Sequence, residues 1–287
     1  MKDELRVMSC GLRVAGAGRR NLVRWVLPAV LLIAACLYTY KLEVPETHTY
    51  PATGINALSA ETQSGDIAVT ASADTTITVD VLKSAYGRNK ADAEKAIATV
   101  VFSDTIAGGE LRLKADMPSG PRPYGASLTI TARESTDLAL STTNGGISVS
   151  STRGSITATT TNGDVELTGT AGAATVSTTN GKLNVQVHSG AVDGTTTNGK
   201  IDCDLAALGP TENVGLATTN GAVTLLLPAD VSAVIDATNT NGTITIYDFT
   251  VIYEQQTTTH LRGRIGSGAS TITITTTDGD ITVRRRS

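Results

Sequence analysis

The sequence predicts an all-β chain, a parallel β-solenoid of two-strand coils about 18 residues long, preceded by an N-terminal transmembrane helix. Three observations carry that prediction. The phrase Thr-Thr-Asn-Gly, or a close variant, places its glycine at Gly145, Gly163, Gly181 and Gly199, in successive steps of 18 residues, then at Gly221 and Gly242. Apolar residues stand two and four places after each glycine, from Ile147 and Val149 down to Ile281 and Val283 after Gly279. Near the N-terminus, an uncharged apolar run follows a basic leader.

Taken in order, residues 1–24 carry Lys2, Arg6, Arg13, Arg19, Arg20 and Arg24 against Asp3 and Glu4, and read as a basic cytoplasmic tail. Residues 25–42 read as a single-pass transmembrane anchor. The uncharged run 25–40 rises about 24 Å as a helix, and Leu42 extends it toward a hydrocarbon core of about 30 Å. Trp25 at one end and Tyr38 and Tyr40 at the other suit the two interfaces. The basic excess before the span puts the N-terminus inside and the remainder outside a cytoplasmic membrane. Ile33-Ala34-Ala35-Cys36 supports a second reading, a lipoprotein signal cleaved before Cys36, which would then carry the lipid. The apolar Leu37, Tyr38 and Tyr40 after the cysteine, and the long leader, favour the uncleaved anchor. Both readings tether the same domain outside the membrane, and residues 43–57 read as a linker.

Residues 58–140 read as an irregular cap on the solenoid. Thr62-Gln-Ser-Gly65-Asp-Ile67 echoes the repeat, and 108–115 and 125–132 read as strands. Near 89–101, alanines and charges four apart predict a short helix. The regular array is expected over 141–283, with an insertion at 248–266 that breaks the spacing, and a basic tail at 284–287 whose arginines would guard the far edge.

Within each coil, residues after the glycine alternate apolar and polar, as a strand with one buried face requires. Counting back from Asn by twos gives inward pairs such as Leu140-Thr142 and Val176-Thr178. The places between, from Ser141/Thr143 to Thr275/Thr277, point outward. Strands of successive coils would pair in parallel at about 4.8 Å, giving a right-handed coil by the default for parallel crossovers. Stacking then aligns Asn144, Asn162, Asn180, Asn198, Asn220 and Asn241, with Asp278 in the seventh place, as a structural turn ladder. Asn also tolerates the left-handed conformation of a tight corner.

Composition narrows the function. Charged residues are 17% and aromatic residues 3% of the chain, with a net charge of −4, so nucleic-acid binding lacks both its basic patch and its stacking platform. Cys10, Cys36 and Cys203 and the three scattered histidines match no metal-ligand spacing, and no cofactor is implied. Cys203 reads as a buried core thiol. Glu166 and Asp202 fall in one column two coils apart, about 10 Å, too wide for a retaining glycosidase and marginal for an inverting one. Asp164 beside Lys182 and Lys200 reads as cross-strand charge pairing. No catalytic constellation emerges. The insertion gathers the scarce aromatics with cations, and Tyr247, Tyr253, His260, Arg262 and Arg264 are the candidate contact residues.

The iterated Thr-Thr-Asn-Gly coils, the Ser64-Gly-Asp-Ile-Ala-Val69 lead-in and the anchor resemble the bacterial putative-adhesin family of β-strand-repeat domains of unknown function, over about residues 50–283. That resemblance implies a β-helical fold and no catalytic residues. The expectation is a membrane-tethered extracytoplasmic module, structural or binding, whose partner is a cell-envelope polymer or a protein. An envelope polysaccharide enzyme and a water-ordering threonine face, as in ice binding, are the alternatives.

Overall fold

The computed structural model describes residues 38–286. Most of the expected membrane span, the basic tail before it and Cys36 lie outside the described residues. Among the described residues no helix is long and apolar enough to cross a membrane.

The chain enters through β1 (Tyr40–Pro51), makes a coil of β2 (Ala57–Ser64) and β3 (Ile67–Ser72), and turns back along β4 (Thr76–Gly87). Helix α1 (Lys90–Ile97) leads to β5 (Val101–Ala107), β6 (Glu110–Asp116) and β7 (Tyr124–Arg133). Regular coils follow: β8 (Asp137–Asn144) with β9 (Ile147–Ser150), β10 (Ile156–Asn162) with β11 (Val165–Thr168), and β12 (Ala174–Asn180) with β13 (Leu183–Ser189). Two more are β14 (Val192–Asn198) with β15 (Ile201–Ala207) and β16 (Val214–Asn220) with β17 (Val223–Leu227). The chain ends with the coil of β18 (Ala233–Asn241) and β19 (Ile244–Ile246), a hairpin of β20 (Ile252–Gln256) and β21 (His260–Ile265), and a last coil of β22 (Ser270–Asp278) and β23 (Ile281–Arg285).

Each coil gives one strand to each of two sheets. One, of 12 strands, holds the strands that end at Asn-Gly; the other, of 11, holds those that follow it. Between the sheets lies one continuous core of small aliphatic side chains, including Leu140, Ile147, Ile156, Leu167, Leu183, Ile201, Leu225 and Ile274. Parallel pairing keeps equivalent residues level: Ile156 faces Leu138 and Ala174, and Val165 faces Ile147 and Leu183. The expected 18-residue coil is therefore the real unit of the stack.

The order of the coils is not the order of the chain. The last coil, β22/β23, lies between β16/β17 and β18/β19. At the other end the first coil, β2/β3, lies between β6/β7 and β8/β9. This corrects the simple end-to-end solenoid: the first and the last coil each lie one rung inside the coil that ends the stack. β19 lies outside β23 but covers it only as far as Val283, so the basic run 284–286 begins where that cover ends. Arg284 sits 4.6 Å from the ring centre of Tyr247, and Arg286 pairs with Asp204 at 3.1 Å.

Antiparallel strands close most of the open edges. β4 and then β1 pair beyond β7, β5 pairs beyond β6, and β21 and then β20 pair beyond β18. Residues 43–57 are accordingly no linker: Glu43 to Pro51 belong to β1. Its charges and its Pro45 and Pro51 suit an edge strand whose outer amides face water. The predicted helix is present as Lys90–Ile97. Asn89 caps it by accepting from the Asp92 amide at 3.0 Å. Ala93 and Ala96 are buried against the sheet. Asp92 accepts from the Arg88 amide and from Arg122, which together hold its carboxyl below the usual range.

Candidate functional site

The Asn-Gly corner organises both the stack and its outer surface. Asn162 Nδ2 donates to Asn144 Oδ1 at 2.9 Å, Asn180 to Asn162 at 2.8 Å, Asn198 to Asn180 at 2.8 Å and Asn220 to Asn198 at 2.7 Å. Beyond Asn220 the next rung presents Asp278, whose carboxylate has no hydrogen to donate. The ladder breaks there and resumes with Asn241 donating to Asp278 at 2.7 Å.

Behind the asparagines runs a second ladder. Buried Thr142, Thr160, Thr178, Thr196, Thr218 and Thr276 each donate Oγ1–H to the corner glycine carbonyl of the preceding rung, at 2.9–3.0 Å. The glycines are needed because a Cβ at Gly163, Gly181, Gly199 or Gly221 would lie 1.8–2.0 Å from the carbonyl oxygen of the neighbouring corner glycine. No ladder asparagine has positive φ. The left-handed expectation for them is thus corrected: the constraint is crowding between rungs. Left-handed residues occupy the opposite corner instead, at Ser151, Gly169, Val187 and Asp248, each four residues after the first inward apolar residue of its strand.

Outward from the ladders, Thr143, Thr161, Thr179, Thr197, Thr219, Thr277 and Thr240 are exposed, as are Thr159, Thr195, Thr275 and Thr238 in the parallel column. Ser177 donates to Thr159 at 3.2 Å; the other outward threonine hydroxyls have no side-chain partner among the described residues. Small residues in the same face make two shallow depressions. One is lined by Glu61, Arg112, Lys114, Ala139, Ser141 and Thr157, the other by Thr175, Asp193, Asn213, Gly215, Thr271 and Thr273.

The hairpin extends this face and divides the candidate contact residues. β21 sets His260, Arg262 and Arg264 opposite Thr238, Asp236 and Val234 of β18. His260 Nε2 lies 2.8 Å from Asp236 Oδ1, and Arg262 bonds Asp236 at 2.9 Å and Glu254 at 3.0 Å. Tyr253 pairs with Gly263, between the two arginines, and so belongs to the opposite side of the strand. Tyr247 sits at the end of the other sheet under Arg284. His260 and the two arginines are brought together; the tyrosines are not.

The carboxylates serve the stack. Asp164 accepts from the Lys182 backbone amide at 2.7 Å, which corrects the expected pairing with lysine ammonium groups. Lys200 instead pairs with Asp202 at 2.6 Å, and Asn184 bridges to Glu166 at 3.2 Å. Asp66 and Asp280 likewise accept the Gly146 and Thr243 amides at 2.8 Å. Cys203 is buried in the core, which pushes its thiol up to about 12. One buried group carried no legible sequence signal: His188, fully enclosed, with Nδ1 2.8 Å from Thr170 Oγ1 and Nε2 unpaired. Burial lowers its pKa.

The family model for the Toastrack domain DUF4097 matches residues 50–284, and the chain belongs to that family. Among solved structures, a putative adhesin from Bacteroides fragilis is similar over 85% of this chain and 97% of its own, at 16% identity and a TM-score of 0.43. A putative cell adhesion protein from Clostridium sporogenes matches 85% of this chain and 100% of its own, at 12% identity and a TM-score of 0.37. A putative lipid binding protein from Parabacteroides distasonis covers 85% and 97%, at 12% identity and a TM-score of 0.33. Comparison with curated proteins gives no match.

Proposed function

We propose that this Toastrack domain is a membrane-tethered, extracytoplasmic binding module of the cell envelope, and that its contact surface is the outer face of the 12-stranded sheet. The observation that carries the reading is the continuity of that face. Columns of outward threonine hydroxyls run level across successive rungs and end at the row His260, Arg262 and Arg264. A field of hydroxyl donors and acceptors bordered at one end by arginines, of which Arg262 is already paired with Asp236 and Glu254, suits an extended polymer that carries hydroxyl and anionic groups. Its backbone is held rigidly by the two ladders beneath, so little ordering of the protein opposes binding. The basic leader and apolar run of the N-terminus supply the tether.

Retention of the full chain on purified envelope fractions tests the contact face. Replacing Thr161, Thr179 and Thr197 by Val, with Arg262→Ala and Arg264→Ala in a second variant, is expected to lower retention while the folded stack persists by circular dichroism. Undiminished retention by both variants would remove this face from consideration. Fatty-acid labelling of wild type against Cys36→Ala separates the two tethers: label that requires Cys36 establishes the lipoprotein, and no label in the wild type leaves the uncleaved span.

A further inference from the structure

We infer that the last coil, Ser270–Arg285, is an exchangeable plug, and that the slot it fills is a binding site for the same coil of a second copy. The slot arises from the chain path. Between Leu227 and Ala233 the chain skips a rung, leaving β16/β17 and β18/β19 two rung spacings apart, about 9.6 Å. Only afterwards does β22/β23 enter and pair with both walls. Without that coil each wall would be a strand edge with unpaired amides and carbonyls and an apolar inner side, which Ile272, Ile274, Ile281 and Val283 close here.

The slot is selective. It receives a hydroxyl at Thr276, which donates to Gly221 O at 2.9 Å. It requires glycine at 279, where a Cβ would lie 2.2 Å from that same oxygen. An Asp280 carboxylate then accepts the Thr243 amide and hydroxyl, both at 2.8 Å. A segment carrying this set in register is supplied by a second copy of the chain.

Three features make this rung the detachable one. It enters between two walls the chain has already completed, whereas the first coil, also sandwiched, leads into all that follows. It hangs on residues 266–269, where Gly266 and Gly268 take left-handed φ of 59° and 78°. One side chain holds that hinge: Ser232 Oγ accepts from the amides of Ser267, Gly268 and Ala269 at 3.0, 3.0 and 3.4 Å. And its joint with β16 is where the asparagine ladder lacks a hydrogen bond. Exchange of an identical element between protomers is a low-cost route to assembly, because every contact of the closed form is remade.

A trans cross-link tests this in the full chain. Thr219 and Thr277 are outward neighbours across the joint, flanked by the pairs Thr218–Thr276 and Asn220–Asp278, at a spacing of about 4.8 Å that a disulfide can span. One copy carries Thr219→Cys, a differently tagged copy Thr277→Cys, both in a Cys10→Ser, Cys36→Ser background. After the two are mixed and oxidised, a covalent dimer containing both tags is expected. The pair Thr161→Cys with Thr179→Cys, inside the regular coils, is the control and is expected to stay monomeric. No mixed dimer, or equal yields from the two pairs, would overturn the proposal. Ser232→Ala, which frees the hinge, is expected to raise the yield of the first pair and leave the control unchanged.

Discussion

Between Ile156 and Leu227 each rung is laid on the one the chain has just completed, whereas at both ends the chain skips a place and something else fills it. The contrast separates two problems of a stacked fold. In the middle, stability comes from repetition: every joint has the same parallel ladder, the same Asn amide bond and the same Thr-to-Gly bond. At the ends, repetition offers only an open edge. Interleaving puts the first and the last coil between two rungs, and antiparallel strands cover most of the outermost edges. The local rules relax there too. Asn239 takes the place of the inward threonine in β18, and both its side-chain polar atoms are buried without partners.

The largest effect should come from the middle corners. Gly181→Ala would put a Cβ 1.9 Å from Gly163 O, and the neighbouring rungs leave neither backbone free to withdraw. A loss of about 3 kcal/mol or more is expected in chemical denaturation, against about 1 kcal/mol for Gly108→Ala, where only the backbone conformation is strained. Gly108 has nothing within 4 Å of its virtual Cβ. Equal losses at the two sites would show that crowding between rungs does not set the corner glycine.

Next come the inward hydroxyls, with opposite signs in the two regions. Thr178→Val removes the donor to Gly163 O and should cost about 1–2 kcal/mol. Asn239→Thr replaces two orphaned buried atoms with the group every regular rung carries, and should gain about 1 kcal/mol. A loss at 239 would mean that Asn239 has a role the closed stack conceals.

His188 makes one regular rung sensitive to pH. Its pKa is lowered by burial, so below the ordinary histidine value of about 6.5 the unfolded chain binds more protons than the folded one. Stability is therefore full above that value and falls as pH drops through it, by at most about 1.4 kcal/mol per pH unit. Denaturation midpoints of His188→Thr should lose this part of the acid dependence, since Thr matches Thr152 and Thr170 in the same corner. Parallel pH profiles for the two proteins would locate the dependence elsewhere.

What the sequence could show follows from what a repeat encodes. Residues two and four after each glycine had to face the core, and Ile147, Val165, Leu183, Ile201 and Val223 are all buried. The content of every rung was legible because stacking demands like residues at like height. The order of rungs was not, for the same reason: Asp278 and Thr276 fit beside Asn220 and Thr218 as well as beside Asn241 and Asn239. β1 was hidden because an exposed edge strand needs charges and prolines, which read as a linker. Val187 was hidden because a β-branched residue gives no sign of the left-handed corner that Gly169 announces one rung earlier. On the candidate face, columns of threonine were legible from the period of two. The split between the row His260, Arg262 and Arg264 and the tyrosines depended on hairpin register, which the sequence does not repeat.

The smallest effect bears most directly on the boundary between the two regions. Asp278 sits where the regular ladder meets the interleaved rung, and Asn220 Oδ1 faces a carboxylate where every earlier asparagine oxygen receives an amide. Asp278→Asn supplies that amide and keeps an oxygen for Asn241. A gain of about 0.5–1 kcal/mol is expected, a rise in Tm of about 1–4 °C for a domain of this size. If the last coil is the loosest rung, the same substitution should also reduce the trans cross-link between Thr219→Cys and Thr277→Cys copies, because it strengthens the joint that must open. A drop in Tm would show that the charge-assisted bond from Asn241 outweighs the missing one to Asn220. The break in the ladder would then be the stabler arrangement of that joint, and the contrast between middle and end would rest on chain path alone.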